Sequence, residues 1–170
     1  MSVLKIFFIA TVLIFFSCHS PRSEQSCLID GIAEKINSGH ERGRVVPVIS
    51  GADGESFVML RGTRDNPLSV TLHVELSSAI IERGYYFDDK RLVLIAENHY
   101  VRKFSSEGVE TALTEPEGEK RVYYYKGHDI NKGDAVFSDD DEIRLAAWIV
   151  RHWEDDQIDI ESMVKCGKDK

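Results

Sequence analysis

Side chains able to do chemistry are plentiful in this chain, but few stand at spacings that chemistry uses. The six histidines, His19, His40, His73, His99, His128 and His152, are scattered, with no HExxH and no HxH among them. Zinc sites are built around closely spaced ligand pairs, so no metal and no cofactor is expected. Residues 127–134 (GHDINKGD) offer Asp129, Asn131 and Asp134 as oxygen ligands. A calcium loop counted from Asp129 wants a ligand at its fifth position and glycine at its sixth; Gly133 and Asp134 stand in the reverse order. The segment therefore reads as a loop. No GxSxG is present, and Gly51 and Gly54 sit in a turn with no following helix or lysine to cradle phosphate. The paired carboxylates Asp88 and Asp89 fall in a turn context, and Asp139, Asp140 and Asp141 fall at a helix start. No catalytic residue is singled out. Tyr123, Tyr124 and Tyr125 alternate on a strand, which puts Tyr123 and Tyr125 on one face. Surface tyrosine favours interfaces, so Tyr123, Tyr125, Asp129 and Asp134 are the candidate interface.

These groups must be positioned by a body read from hydrophobic period. Residues 27–37 place Leu28, Ile32 and Ile36 on one helical face, closed by Ser38 and Gly39. From 44 to 126 the pattern is strand. Pro47 marks residues 44–49 as an edge strand, and 56–61 follow across a Gly-rich turn. Val70, Leu72, Val74 and Leu76 alternate with Ser69, Thr71, His73 and Glu75, which predicts one buried and one wet face. Residues 77–83 are either a helical turn or a continuation of that strand. Residues 85–87 and 91–96 flank a hairpin loop at 88–90, and 99–104, 109–114 and 121–126 complete the set. Residues 138–155 form the strongest helix, with Asp139 and Glu142 at capping-box spacing and Leu145, Trp148, Ile149, His152 and Trp153 on one stripe. The expectation is an α+β domain: an antiparallel sheet of about six or seven strands packed against this C-terminal helix, plus a short N-terminal helix.

The N-terminus is of another kind. After Lys5 an apolar run of 11 residues, 6–16, is too short for the ~20 residues of a membrane span and matches the h-region of an export signal. Ser17 and Cys18 follow. This stretch resembles the lipobox of bacterial lipoproteins, whose cysteine is acylated and becomes the first residue of the mature chain. The resemblance covers residues 1–18 only. It implies a signal peptide over 1–17 and lipidation at Cys18. Residues 19–26 hold no large apolar side chain, so 18–26 read as a tether, and the length of the remainder suits a single globular domain over 27–170. Ordinary signal-peptidase cleavage near Ser20 is the rival. If Cys18 carries lipid, Cys27 and Cys166 remain as an even pair. A disulfide between them would close about 140 residues, worth on the order of 4–5 kcal/mol on a chain-entropy model.

Formal net charge is −8, and loss of Lys5 makes it more negative still. Such a chain repels phosphate backbones, so nucleic acid is not an expected partner, and a basic protein surface is the electrostatic complement. The expected place is the periplasm or cell envelope. His19 after the cysteine, where an inner-membrane retention signal has Asp, leans to the outer membrane. Three functions follow by class analogy. The first is a non-catalytic binding protein, in its sharpest form an immunity or inhibitor protein neutralising a toxic periplasmic effector. The second is an accessory lipoprotein of an envelope secretion or assembly complex. The third is an envelope hydrolase with an unrecognised site.

Overall fold

A computed structural model of the chain describes residues 21–39, 42–52, 54–108, 110–114, 118–130 and 140–166. In order they form α1 (Pro21–Ser38), β1 (Arg44–Ile49), β2 (Ser56–Thr63), β3 (Asn66–Glu75), β4 (Ala79–Asp88), β5 (Arg91–Phe104), β6 (Glu110–Leu113), β7 (Lys120–Asp129), α2 (Asp141–Arg151), β8 (Ile158–Asp159) and α3 (Ile160–Cys166). The fold is mixed α+β, with one sheet of eight strands. The expected leader, Cys18, and the interface candidate Asp134 lie outside the described residues.

Strands β1 to β5 make an antiparallel meander. β5 is 14 residues long and serves two neighbours on its far side. Its Arg91–Glu97 half pairs with β7 and its Arg102–Phe104 end pairs with β6, both antiparallel. At the opposite edge β8 lies parallel to β1, with Val48 opposite Ile158 and Ile49 opposite Asp159. The β4–β5 hairpin turns on Asp89 (φ 45°) and Lys90 (φ 66°), the left-handed pair a two-residue hairpin of this twist requires. Gly62 (φ +94°) sits where β2 slips register against β3; a Cβ there would lie 2.5 Å from the Asn66 carbonyl oxygen.

Two apolar layers flank the sheet. On one side Val46, Val58, Leu60, Val70, Tyr85 and Ile95 meet Leu145, Ala146, Ile149 and Val150 of α2, with Ile158 and Met163 from the elements after it. On the other, Ile29 and Ala33 of α1 cover Tyr86, Leu94 and Ala96. A bulge sets this allocation. Phe87 pairs with Leu92 and Tyr86 with Leu94, so Val93 is the extra residue and the strand changes parity across it. Leu92 and Ile95 go to the α2 layer and Leu94 and Ala96 to the α1 layer.

Several expectations are corrected. The sheet has eight strands rather than six or seven: residues 91–96 and 99–104, expected as two strands, are one continuous β5, and β8, only two residues long, carries no periodicity to announce it. The strong helix is not C-terminal, since β8 and α3 follow it. It spans Asp141–Arg151, and its N-cap is Asp140 rather than Asp139: the Asp140 carboxylate accepts from the amides of Glu142 (3.0 Å) and Ile143 (3.3 Å). α1 starts at Pro21, so residues 21–26, expected as tether, are helical. Proline at a first helical position is preorganised for that start. The packed face of α1 is Ile29, Ala33 and Ile36, while Leu28 is 67% exposed. The second sheet face is wet only where α1 does not reach: Ser69 is buried beneath it.

Candidate interaction face and cleft

Every tyrosine of the 123–125 triplet is engaged with the fold. The Tyr123 hydroxyl donates to Asp30 of α1 at 2.9 Å, and Arg121 pairs with the same carboxylate at 2.6 Å. Tyr125 stacks on Tyr123, with ring centroids 5.9 Å apart, and meets the Ser26 hydroxyl at 3.0 Å. The structure thus brings Tyr123 and Tyr125 together, as alternation predicts, but against α1. Tyr124 points the other way and donates to Asp140 at 3.2 Å. Burial first, and then the Asp140 charge, push its phenol up to about 12. Asp129 ends β7 in register with Arg91 and is not gathered with the tyrosines. Cys27 is exposed on α1, and the side chain of Cys166 lies outside the described residues.

A polar chain lies beside the start of α2. Arg83 on β4 forks onto Glu97 of β5 and, at 2.8 Å, onto Glu142 of α2. The fully buried Tyr85 donates to Glu142 at 2.9 Å, and His99 contacts Glu97 at 2.9 Å. Burial raises the Glu97 carboxyl, but hydrogen bonds and charge from Arg83, with help from His99, outweigh it and hold it below the usual range. Burial and the Glu142 charge drive the Tyr85 phenol well above its ordinary value, so it remains a donor. This polar chain ties the start of α2 to the sheet, beside the apolar contacts and the Tyr124–Asp140 bond.

The α1 side of the sheet is covered only at one end. Beyond α1 it is open among the described residues. On β1 the alternate residues Val45, Pro47 and Ile49 are exposed, Val45 by 59% and Ile49 by 41%. Next to them Phe57 of β2 stacks on His73 of β3, with centroids 4.6 Å apart and planes at 13°. A self-paired polar field adjoins this row. His73 contacts Glu82 (3.3 Å) and Glu75 (3.6 Å), Tyr100 donates to Glu82 (3.3 Å), and Arg102 joins Glu75 (3.3 Å) to Glu110 (2.6 Å). Burial and the charge of Glu82 raise the Tyr100 phenol.

At the other end of the same face, a cleft of about 500 Å³ opens between the C-terminal half of α1, the β2–β3 hairpin and the β4–β5 turn. Ile32, Ile36, Pro67 and Leu68 give it apolar walls. Lys35 and Arg61 stand on it, as do Asp88 and Asp89. The Arg61 guanidinium is held by Asn37 at 3.3 Å, and Asn37 in turn donates to the Tyr86 hydroxyl at 2.9 Å. The buried Arg61 Nε has no partner among the described residues.

Sequence reasoning missed the cleft entirely, because its walls come from α1 and three turns or strands with no shared spacing. It also counted an SxxK pattern as absent, whereas Ser162 and Lys165 stand at that spacing. The Ser162 hydroxyl donates to Asp159 at 2.6 Å and its amide to the same carboxylate at 3.0 Å, which is a cap for α3. Among the described residues no group of three or more His, Cys, Asp or Glu could hold a metal ion, and no helix is long and apolar enough to cross a membrane. Comparison with family models, curated proteins and solved structures finds no match.

Proposed function

We propose that this chain is an exported binding protein of the cell envelope that works without catalysis. Its most specific form is an immunity or inhibitor protein that neutralises a toxic periplasmic enzyme. Cys18 carries the lipid that ties it to the outer membrane, and Cys27 and Cys166 form a disulfide. The observation that carries the reading is the open half of the α1-side sheet face. There Val45, Pro47, Ile49 and Phe57 form an apolar row on the sheet. An apolar centre beside a polar rim is the anatomy of a protein interface. Glu75, Glu82 and Glu110 on that rim outnumber Arg102, and the whole chain is acidic, so the partner is a basic soluble enzyme. The hydrolase reading needs histidine and carboxylate converging in a cleft, whereas among the described residues no histidine lines the cleft under α1.

The test uses the full-length lipidated protein. It should capture one soluble basic enzyme from periplasmic extract and inhibit it when purified. Val45→Arg with Ile49→Arg should abolish capture and inhibition while moving stability by no more than ~0.5 kcal/mol per site, as exposed substitutions do. Cys18→Ser should release the chain from the membrane fraction. Co-sedimentation with a large envelope complex would favour the accessory-lipoprotein alternative. Inhibition that survives the double arginine variant would refute the assigned face.

A further inference from the structure

Four charges surround the cleft beneath α1, and they do not neutralise one another. Among the described residues Lys35, Asp88 and Asp89 form no ion pair, and Arg61 gives one nitrogen to the neutral Asn37. Opposite charges that share a cleft without pairing are held apart by the scaffold. The sheet shows how. Arg61 is on β2 and Asp88 on β4, with β3 between them. Arg61 is in register with Tyr86, so two strand spacings and a two-residue offset put the Arg61 and Asp88 backbones about 12 Å apart across the cleft floor, a gap their side chains shorten.

We propose that this cleft binds a short apolar peptide with both termini free. Its carboxylate is taken by Arg61 and Lys35, its ammonium by Asp88 and Asp89, and its side chains by Ile32, Ile36 and Leu68. Each part answers an observation. Arg61 lines the cleft with only one terminal guanidinium nitrogen engaged, by Asn37, which leaves a terminal N–H donor for a carboxylate, and the relay from Tyr86 through Asn37 fixes the guanidinium before any ligand arrives. An anionic amphiphile would satisfy the cations but leave two carboxylates facing its apolar body. A single amino acid carries both charges on one carbon and is too short to reach both lips. An extended chain advances about 3.3–3.6 Å per residue, so three residues span about 10 Å. The cleft volume lies in the range of small-ligand sites, about 300–1,000 Å³.

The experiment is a methyl-NMR titration of the folded protein with trileucine, its N-acetyl form, its C-terminal amide, and decanoate. Free trileucine should shift the methyl signals of Ile32, Ile36 and Leu68 saturably. Blocking either terminus should weaken binding at least about tenfold, because each removes a charge-assisted contact. Asp88→Asn with Asp89→Asn should erase the penalty of N-acetylation but keep that of amidation; Arg61→Gln should reduce the penalty of amidation to the share of Lys35 and keep that of N-acetylation. All three substitutions are at the rim, and the unperturbed spectrum outside the cleft reports that each variant is folded. Decanoate binding as tightly as trileucine would overturn the proposal in favour of an anionic amphiphile. Absence of methyl shifts at millimolar trileucine would overturn the site itself.

Discussion

Replacing Arg83 by methionine tests how α2 is held to the sheet. The substitution keeps an unbranched side chain of similar length and removes the one cation shared by Glu97 and Glu142. Breaking a buried pair by deleting one partner costs about 3–5 kcal/mol, since the surviving charge is left desolvated. Here Arg83 is 21% exposed and Glu97 12%, so solvent screens part of the loss and the low end, about 3 kcal/mol, is expected. For a domain of this size that lowers the thermal midpoint by roughly 6–12 °C. The loss must also depend on pH in one direction. The Glu97 carboxyl is held below its ordinary value in the folded chain, so its stabilisation is complete above the unfolded carboxyl range and disappears as pH falls through the lower folded value. Urea unfolding of the parent and of Arg83→Met should therefore show a wide gap near neutrality that narrows in acid. A double-mutant cycle with Glu97→Gln should give strong coupling. The reasoning fails if the variant lies within about 0.5 kcal/mol of the parent at neutral pH, a size ordinary for surface changes. It fails equally if the gap is the same in acid.

Asp140→Ala should cost about 1 kcal/mol in urea unfolding, because the Glu142 and Ile143 amides lose their acceptor; Asp141→Ala, one residue inside the helix, should cost less. Tyr124 has a phenol pushed up to about 12, so the folded chain favours its neutral form. Its contribution is whole below the ordinary phenol range near 10 and is lost as pH rises through its folded value. Tyr124→Phe should flatten the alkaline limb of the stability profile.

What the sequence showed and hid follows from how far each signal reaches along the chain. Val70 and Leu72 bury as their alternation requires, and the Asp88–Lys90 region turns as its composition suggests, because both signals are local. The parity of Tyr123 and Tyr125 was legible too, but the occupant of their face was not, because Asp30 and Ser26 come from a helix more than ninety residues away. The bulge at Val93 left no trace in the buried run Leu92–Ala96, where every residue is apolar and either face would suit. Three adjacent aspartates made the choice of helix cap ambiguous by one residue. Beyond its start at Pro21, the first turns of α1 have no apolar stripe to announce them. The cleft is the extreme case: Lys35 of α1, Arg61 of β2 and Asp88 of β4 come to one cleft only through the strand order and the seat of α1 on the sheet.

The parallel contact of β8 with β1 has a temporal side. Val48 and Ile49 meet Ile158 and Asp159, and the Trp148 indole donates to the Asp159 carbonyl at 3.0 Å. A polypeptide that emerges from its N-terminus must wait for more than a hundred further residues before that margin is sealed. Contacts of such long sequence separation slow the search for the native state. During the wait the chain stays threadable, and a truncation just ahead of Ile158 would leave it so indefinitely, with its first strand bare and its core short of Ile158 and Met163.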